Sequence, residues 1–397
     1  MLNGRKIAVG VTGGIAVYKA VQLVSDLKKL GADVHVVMTP NATEFVTPLT
    51  FETMSDNRVS VDTFDRNFEW QVGHIGLAQS AEAFIVAPAT ANMIAKMACG
   101  IADDLLSTTL LAARCPKIVC PAMNTAMYEN PVTQRNLATL RELGVHIVEP
   151  GSGLLACGDV GTGKLASIPE LIDAIGAALT PKTLAGKRVL ITAGPTCEDL
   201  DPVRFITNRS SGKMGYETAR AALHMGAQVT LVTGPVSITP PPGAQVVPVR
   251  SAREMRDAVL AAAPEQDIII KAAAVGDFRP VSSSGSKIKK SGNAQMVELT
   301  ENPDILAEVC ARRRPGQVIV GFAMETEDLL KNAQKKLEKK GADMIVANDL
   351  RGEGAGFAGD TNAVTFVTKD GCDQLPLMSK YEVGHTLLER AISLAKN

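Results

Sequence analysis

The chain has 397 residues, of which 46% are hydrophobic and 21% charged, and its formal net charge at pH 7 is -1. This length favours two domains, while the near-neutral charge offers no bulk attraction to nucleic acid or a membrane surface. No apolar run reaches the roughly 20 residues of a membrane span, and we expect no signal segment before the first strand. The seven cysteines form no CxxC pair, which favours a reducing cytoplasm and argues against structural zinc.

Two stretches of the sequence begin alike. Residues 2–14 read LNGRKIAVGVTGG, and residues 184–196 read LAGKRVLITAGPT. Each has a glycine, two basic residues, an apolar run typical of a buried strand, and then threonine with glycine, which indicates a tight phosphate-facing turn. The pattern predicts two tandem Rossmann-like α/β domains over residues 1–181 and 184–397.

The first strand is predicted over Lys6–Val11, and Thr12, Gly13 and Gly14 form the turn that follows it. Apolar residues at helical spacing continue over Ile15–Leu30. Backbone N–H groups at such a helix start favour a phosphate. Because no GxGxxG turn and no ribose-binding acid are present, a mononucleotide is favoured over a dinucleotide, and a plain strand-to-helix turn is the alternative.

Further strands are predicted over Val34–Met38, Ala83–Ala87 and Pro116–Cys120, so the segments after them meet at the carboxyl edge of a sheet. The last strand leads into PAMNTAMYENP, in which Asn124 is a candidate to bind a carboxylate. A rigid loop with buried methionines is the alternative. His74, at a predicted helix start, is either a capping core residue or a general base.

Residues 151–164, GSGLLACGDVGTGK, form a glycine-rich segment. It lacks the GxxxxGK[ST] pattern of a phosphate-binding P-loop, because Lys164 is followed by Leu165. We expect a mobile lid here, with Cys157 at its centre as a candidate proton donor.

The first half contains GGIAVYK at 13–19, His74, APATAN at 87–92, GIADDLLSTT at 100–109, PAMNTAMYENP at 121–131 and ACGDVGTGKL at 156–165. In combination these motifs resemble the flavin-dependent phosphopantothenoylcysteine decarboxylases, a family of flavin-containing cysteine decarboxylases. The resemblance covers the whole first half. The family usually has tryptophan where this chain has Tyr128.

That resemblance implies a flavodoxin-like domain that binds FMN. The flavin would oxidise the cysteinyl thiol of the substrate to a thioaldehyde, carbon dioxide would leave, and the hydride would return while Cys157 supplies a proton. His74 and Asn124 would engage the substrate, with His74 serving a neighbouring subunit. The FMN-binding set implied by the family is Gly13, Gly14, Thr39, Ala87, Thr90, Asn92 and Ser107.

The second half begins with a strand over Arg188–Ala193, and RFITNRSSGKMG at 204–215 then leads into a helix over Met214–Met225. Its three cations, three hydroxyls and Asn208 ahead of a helix start suit an anionic ligand such as a phosphate. A solvated loop is a nearly equal alternative.

Another strand, over Asp267–Lys271, ends in small residues that would let a ring lie against the backbone, and Asp277 beyond them could hold a metal or an amino group. The basic segment at 282–292, SSSGSKIKKSG, is either a solvated loop or a flap over a triphosphate. Lys336 and Lys340 share one face of a helix predicted over Leu329–Lys340, and charged helix faces usually meet only solvent.

The second half also contains TAGPT, KAAAVGDF, KIKK, NPDIL, VGFAMET and VANDL. Together with RFITNRSSGKMG these motifs resemble the phosphopantothenate–cysteine ligases, whose domain is doubly wound. The resemblance implies a CTP-dependent ligase with Mg²⁺, in which Asn208 acts on the acyl-cytidylate and Asp277 is the metal ligand. The implied CTP-binding set is Lys271, Ala272, Ala273, Asp277, Lys287, Pro303, Asp304, Ile305, Leu306, Phe322, Lys336 and Lys340.

The order of the two resemblances matches a fused enzyme of coenzyme A biosynthesis that uses 4'-phosphopantothenate, cysteine and CTP. It also implies a homo-oligomer, with trimers of the first half and dimers of the second that could build a dodecamer. The rivals are a flavin-binding redox protein without decarboxylase activity, a regulatory binding module and an NAD-dependent dehydrogenase. The ligase motifs argue against the regulatory module, and the missing GxGxxG turn argues against the dehydrogenase.

Overall fold

The computed structural model describes residues 2–63, 73–155, 158–290, 295–325, 329–349 and 359–395, except for the side chains of residues 74, 325 and 349. The chain divides into two compact units, Met1–Thr180 and Pro181–Asn397. None of the helices within these ranges combines the length and the apolar character that a membrane crossing requires.

The first unit alternates strands and helices. Its strands are β1 Lys6–Val11, β2 Asp33–Met38, β3 Ala83–Ala89, β4 Lys117–Pro121, β5 His146–Ile147, β6 Gly151–Leu154 and β7 Val160–Lys164. Its helices are α1 Val17–Lys29, α2 Pro40–Thr43, α3 Pro48–Ser55, α4 Gly73–Ser80, α5 Ala91–Cys99, α6 Leu105–Ala112, α7 Thr125–Glu129, α8 Pro131–Glu142 and α9 Ile168–Leu179.

The main sheet of the first unit has the order β2-β1-β3-β4-β5, and every adjacent pair is parallel. This is the flavodoxin-like strand order, with its topological switch point between β1 and β3. One apolar core, with Val9 and Leu23, covers one face, and a second, with Phe84 and Leu106, covers the other. The predicted flavodoxin-like fold is confirmed.

The second unit has fourteen further strands among the described residues. They are β8 Arg188–Ala193, β9 Cys197–Asp199, β10 Phe205–Thr207, β11 Gln228–Thr233, β12 Gln245–Pro248, β13 Ile268–Lys271, β14 Phe278–Pro280, β15 Leu299–Glu301, β16 Val318–Glu325, β17 Met344–Asp349, β18 Thr361–Asn362, β19 Val364–Thr368, β20 Gly371–Gln374 and β21 Met378–Ser379. Its helices are α10 Lys213–His224, α11 Ala252–Ala262, a short 3₁₀ helix Ala263–Glu265, α12 Ile305–Ala311, α13 Leu329–Lys340 and α14 Lys380–Leu394.

The large sheet of the second unit has the order β12-β11-β8-β13-β16-β17-β19-β20. The first six strands are parallel, and β19 and β20 extend the sheet by antiparallel pairing. The parallel part has the doubly wound order 3-2-1-4-5-6, so its switch point lies between β8 and β13. Separate apolar cores cover its two faces. The doubly wound prediction is confirmed.

The glycine-rich segment, for which a mobile lid is expected, has regular secondary structure, and its mobility stays a prediction. Its described residues form an antiparallel hairpin of β6 and β7, with Gly153 opposite Gly161 and Leu154 opposite Val160. The sequence pattern also missed α8, α9 and α11. In the hairpin, glycines hide the alternation by which a strand is ordinarily identified.

Helices α10 and α14 pack together at a point where one of them has no side chain. A methyl group at Gly384 would lie 2.8 Å from Thr218 Cα and 3.0 Å from its Oγ1. We predict that Gly384→Ala lowers the free energy of unfolding of the second unit by about 1–3 kcal/mol, because the helices must separate. Denaturant unfolding of the full chain measures this change.

Gly76 is a matched control, because it is an exposed helical glycine, and no atom of the described residues lies within 4 Å of a new methyl group there. Gly76→Ala should be neutral or stabilising by about 0.5–1 kcal/mol, since alanine is the better helix former. Equal destabilisation by both substitutions would contradict the packing explanation.

Candidate active sites

The first unit has a cavity of about 570 Å³ at the carboxyl ends of β1, β3 and β4. Its lining is mostly apolar, and the hairpin β6–β7 contributes one wall. The lining residues are Gly13, Gly14, Ile15, Ala16, Tyr18, Lys19, Thr90, Ala91, Ala122, Met123, Asn124, Met127, Leu154, Leu155, Gly163, Lys164 and Leu165. An apolar cleft at a switch point suits a flat ring with a polar tail.

The turn after β1 is held by Thr12, which the sequence analysis placed in the turn without giving its hydroxyl a role. Thr12 Oγ1 donates to the carbonyl oxygen of Pro88 at 2.7 Å and accepts from the N–H of Thr90 at 3.0 Å. A methyl group on Gly13 would lie 2.8 Å from the backbone carbon of Asn41, whereas the nearest described atom to one on Gly14 would be Thr90 Cγ2 at 3.7 Å. The turn therefore presents bare backbone to the cavity, as phosphate-binding turns do.

The predicted FMN-binding set divides in two. Gly13, Gly14 and Thr90 line the cavity, whereas Thr39, Ala87, Asn92 and Ser107 do not. Thr39 Oγ1 is buried, and within the described part of the chain it has no hydrogen-bond partner, so a polar ligand atom would satisfy it.

Ser107 has a structural role in the first unit. Its N–H donates to Asp104 Oδ1 at 2.8 Å, and its Oγ accepts from the N–H of Asp104 at 3.1 Å. This reciprocal pair is the capping box of α6, a structure that satisfies two donors at the helix start.

Asn124 caps α7, and its amide already holds a carboxylate. Its Oδ1 accepts from the N–H of Ala126 at 2.9 Å, and its Nδ2 donates to Asp159 Oδ2 at 2.7 Å. The hairpin packs against this loop, with the N–H of Met123 donating to the carbonyl of Gly163 at 3.0 Å. The geometry thus brings the Asn124 amide and the glycine-rich segment together.

The predicted catalytic residue Cys157 lies outside the described residues. For His74 the backbone is described and the side chain is not. The structure adds two cations, because Lys19 and Lys164 both line the cavity. Burial, and then the charge of Lys164, lower the pKa of Lys19. Two like charges at one cavity favour an anionic group there.

The second unit has a cavity of about 510 Å³ beside β13 and β16. The predicted CTP-binding residues that line it are Lys271, Ala273, Asp277, Pro303, Asp304, Ile305, Leu306, Phe322, Lys336 and Lys340. Ala272 and Lys287 do not line it. Val275, Gly276, Phe278, Glu301, Asn302 and Lys339 complete the lining, and each of them lies within two positions of a predicted residue.

An ion pair joins two walls of this second cavity. Lys340 Nζ donates to Asp304 Oδ2, and Asp304 Oδ1 accepts from the N–H of Ala307 at the start of α12. Burial opposes ionisation of Asp304, but Lys340 and the helix N–H outweigh it and lower the pKa of Asp304. Lys336 Nζ donates to the carbonyl of Phe322 at 2.9 Å, so both predicted lysines of α13 face the cavity.

Asn208 lies beside the second cavity and outside its lining. Its Nδ2 donates to the carbonyls of Ala274 and Val275, both at 3.2 Å. The amide therefore fixes the segment that follows β13.

The second cavity offers few protein ligands for a metal ion, because no cluster of three or more His, Cys, Asp or Glu suitable for a metal occurs among the described residues. Asp277 could bind Mg²⁺ only jointly with ligand phosphates and water, an arrangement that Mg²⁺ commonly adopts.

Asp201 is a buried carboxylate that the sequence analysis missed. Its oxygens accept from the N–H groups of Val203 and Arg204, from Arg204 Nε, and from the N–H of Ile288 at 3.1 Å. Burial alone would raise the pKa of Asp201, but these donors lower it to about 2. Arg204 also donates to the carbonyl of Ile288 at 2.5 Å. The basic segment around Lys287 is thus anchored at Ile288.

Comparisons with known proteins agree with this division. Residues 1–180 match the Flavoprotein family, and residues 184–394 match the family described as DNA/pantothenate metabolism flavoprotein C-terminal domain. The chain is 48% identical over 401 residues to the coenzyme A biosynthesis bifunctional protein CoaBC of Bacillus subtilis (strain 168), covering 100% of this chain and 98% of the relative.

The Escherichia coli (strain K12) protein of the same description is 44% identical over 396 residues, covering 99% of this chain and 98% of the relative. Among solved structures, the C-terminal domain of a coenzyme A biosynthesis bifunctional protein CoaBC is 41% identical. The match covers 54% of this chain and 100% of the solved domain, with a TM-score of 0.47.

We predict that Asp201→Asn releases the basic segment, because an amide replaces the charged acceptor of the Ile288 N–H. The Ile288 amide should exchange its hydrogen about tenfold faster or more at neutral pH. Since the folded pKa lies below the ordinary value near 3.9, the stabilisation by Asp201 is complete above about pH 4 and is lost as the pH falls toward 2. Hydrogen exchange followed by mass spectrometry measures both effects.

Asp199→Asn serves as the control for this substitution. Asp199 is a half-buried neighbour that accepts from Arg250 at 2.7 and 3.0 Å and makes no contact with Ile288 among its described bonds. The Asp199→Asn substitution should leave hydrogen exchange at the Ile288 amide unchanged. Equal acceleration in both variants would show that the effect is general loosening of the unit.

Proposed function

Since this chain belongs to the family of bifunctional coenzyme A biosynthesis proteins, we propose that it converts 4'-phosphopantothenate to 4'-phosphopantetheine in two steps. The second domain, over residues 184–397, ligates cysteine to 4'-phosphopantothenate at the expense of CTP. The first domain, over residues 1–181, decarboxylates the resulting 4'-phosphopantothenoylcysteine with FMN. The chain is a bifunctional enzyme with ligase and decarboxylase domains.

The ligase proposal depends on the cationic cavity beside β13 and β16. Its lysines on α13 stabilise the negative charge that develops on the triphosphate. Asp277 would hold Mg²⁺, which would neutralise part of the same charge. The substrate carboxylate attacks the α-phosphate, and pyrophosphate leaves. The amine of cysteine then displaces cytidylate from the mixed anhydride near Asn208, whose amide adjoins this cavity.

A reactive mixed anhydride must be protected from water. Lys287 is exposed and lies next to Ile288, the residue that Asp201 anchors. We therefore assign Lys287 to a flap whose base is fixed and whose cation reaches the phosphates when the flap closes. This assignment explains why Lys287 is absent from the cavity lining.

The decarboxylase proposal depends on the apolar cavity of the first unit. Three features fit a flavin mononucleotide with its phosphate: the bare turn at Gly13 and Gly14, the buried Thr39 hydroxyl, which no described residue satisfies, and the two cations. FMN, when bound, supplies the reversible oxidation of the substrate thiol that allows carbon dioxide to leave. The Asn124 amide binds the substrate carboxylate, as it binds that of Asp159, and Cys157 donates a proton to the product.

The finer assignments belong to the same proposal. Ala87, Asn92 and Ser107 belong to the FMN-binding set, and Ala272 belongs to the CTP-binding set. His74 completes the decarboxylase site of a neighbouring protomer, which requires a homo-oligomer. Trimers of the first domain and dimers of the second would together build a dodecamer in the cytoplasm.

One reaction tests the whole proposal. The purified chain is incubated with 4'-phosphopantothenate, cysteine, Mg²⁺ and either CTP or ATP, and products are identified by mass spectrometry. We expect 4'-phosphopantetheine to form in the mixture that contains CTP and not in the mixture that contains ATP. Accumulation of 4'-phosphopantothenoylcysteine would refute the decarboxylase half, and absence of both products would refute the proposal.

We predict that Lys287→Gln lowers ligase turnover by about a hundredfold, because one cation is lost from the phosphates in the transition state. Decarboxylation of supplied 4'-phosphopantothenoylcysteine should be unchanged. Lys289→Gln, which alters an exposed lysine two residues away, is the control and should affect ligation little. Equal loss of both activities in Lys287→Gln would contradict the flap assignment.

We predict that Asn124→Asp abolishes most decarboxylation, by about a hundredfold or more, because a second carboxylate repels the substrate carboxylate. Flavin absorbance should be retained, since aspartate is also a good helix N-cap. Asn130→Asp makes the same change at the start of α8, where Asn130 accepts from the N–H of Val132, and should leave carbon dioxide release intact. Normal turnover of Asn124→Asp would rule out the carboxylate-binding role.

A further inference from the structure

The amine of Lys271 is buried and without a hydrogen-bond partner in the described part of the chain. Lys271 is the last residue of β13, its side chain lines the second cavity, and the residue is only 7% exposed. Lysine is almost never fully buried unless it is paired. The structure therefore contains a donor at the edge of the ligand cavity that no described residue satisfies.

The neighbours of Lys271 on the sheet explain its burial. Its register partners are Thr192 on β8 and Gly321 on β16. A methyl group on Gly321 would lie 2.7 Å from Leu306 Cδ2, so the sheet surface beside Lys271 is closely covered by an apolar side chain. Water has little room to solvate the amine on this side.

The acid that acts on Lys271 is already engaged by other donors. Asp304 is the acid that favours protonation of Lys271, but its carboxylate already accepts from Lys340 and from the start of α12. The other charged residues of the lining are Asp277, Glu301, Lys336, Lys339 and Lys340. Three further lysines thus line the same cavity.

These surroundings disfavour a charged amine in the absence of a ligand. Burial lowers the pKa of Lys271 to about 7, and the attraction of Asp304 offsets only part of that effect. Above neutral pH the amine is therefore mainly uncharged, unlike an ordinary lysine, whose pKa is near 10.4.

We propose that Lys271 is a proton-coupled binding residue, which takes up one proton from solvent when a nucleoside polyphosphate enters the cavity. The polyphosphate brings the negative charge that the buried amine lacks, and the ammonium then donates to it. The only change of bonding is the new N–H bond at Nζ. This inference rests on the proposed nucleotide site, and it adds a dependence of nucleotide affinity on pH.

The sign of that dependence follows from linkage. A bound state with a raised Lys271 pKa binds more protons than the empty state at every pH above 7. Below pH 7, protonation of Lys271 therefore does not affect the affinity for the nucleotide. Above pH 7, this affinity falls by up to about tenfold per pH unit. At pH 8 an amine with a pKa near 7 takes up about 0.9 proton on binding.

Isothermal titration calorimetry of the full chain tests this uptake. CTP is titrated at pH 8 in two buffers with different ionisation enthalpies, and the difference in heat gives the number of protons taken up. Inorganic triphosphate should give the same number, and cytidine should give none. Lys271→Met should bind CTP more weakly and without the additional proton, while its far-ultraviolet circular dichroism stays unchanged.

Lys339→Met is the matched control, because Lys339 lines the same cavity from an exposed position. It should weaken CTP binding but retain the proton uptake. Buffer-independent heats in the unmodified chain, equal uptake in Lys271→Met, or no binding of any probe would overturn the inference. Uptake with cytidine alone would overturn it too, since the amine would then contact the base.

The same experiment separates the inference from the proposed function. If CTP and triphosphate bind with uptake of a proton at Lys271 but no ligation product forms, the inference stands and the ligase proposal fails. If ligation proceeds and no proton is taken up, the ligase proposal stands and Lys271 is only a packed core residue.

Discussion

Helices cover both faces of each parallel sheet, and this constraint decides where the protein can bind ligands. The central strands are buried on both sides, as shown by Ile85 and Val86 on opposite faces in the first unit and by Ile270 and Ile269 on opposite faces in the second. Polar ligands are therefore excluded from the faces. They can reach only the carboxyl edge, where backbone groups of the connecting segments are available. Both candidate sites lie at that edge.

The two edges differ in chemistry because different residue types follow their strands. Methionines, small residues and a bare glycine turn follow the strands of the first unit, which leaves an apolar cleft with two lysines. In the second unit, α13 places a row of lysines opposite Asp277, Glu301 and Asp304. The first arrangement suits a ring system that carries a phosphate, and the second suits a polyphosphate with its metal. A common fold thus supports two unrelated reactions.

The sequence predicted the repeated α/β units and the edges at which their sites lie, because strand and helix periodicity are local properties. Helix α13 was predicted with its observed bounds, Leu329–Lys340. The hairpin of β6 and β7 was not predicted, because its pairing depends on backbone hydrogen bonds that glycines can make without an apolar alternation. Local spacing also failed to indicate the structural role of Ser107, which is set by its bond to Asp104.

Long-range contacts were beyond local patterns altogether. Asp201 and Ile288 are joined in space although 87 positions separate them in the chain, and no motif marks Asp201 as an anchor. The burial of Lys271 depends likewise on Leu306 of another segment. The family resemblance named Lys271 as a nucleotide-binding residue, but only the packing shows that its amine is without a partner among the described residues.

The single carboxylate of Asp201 has a thermodynamic consequence for the second unit. It holds the start of the segment that leads to Asn208 and also the segment that contains Lys287. A ligand that orders one segment therefore reduces the entropy lost when the other segment becomes ordered. Because such coupling is reciprocal, any ligands that order the two segments would increase each other's affinity by the same factor. Synergy between co-substrates can in this way arise without any contact between them.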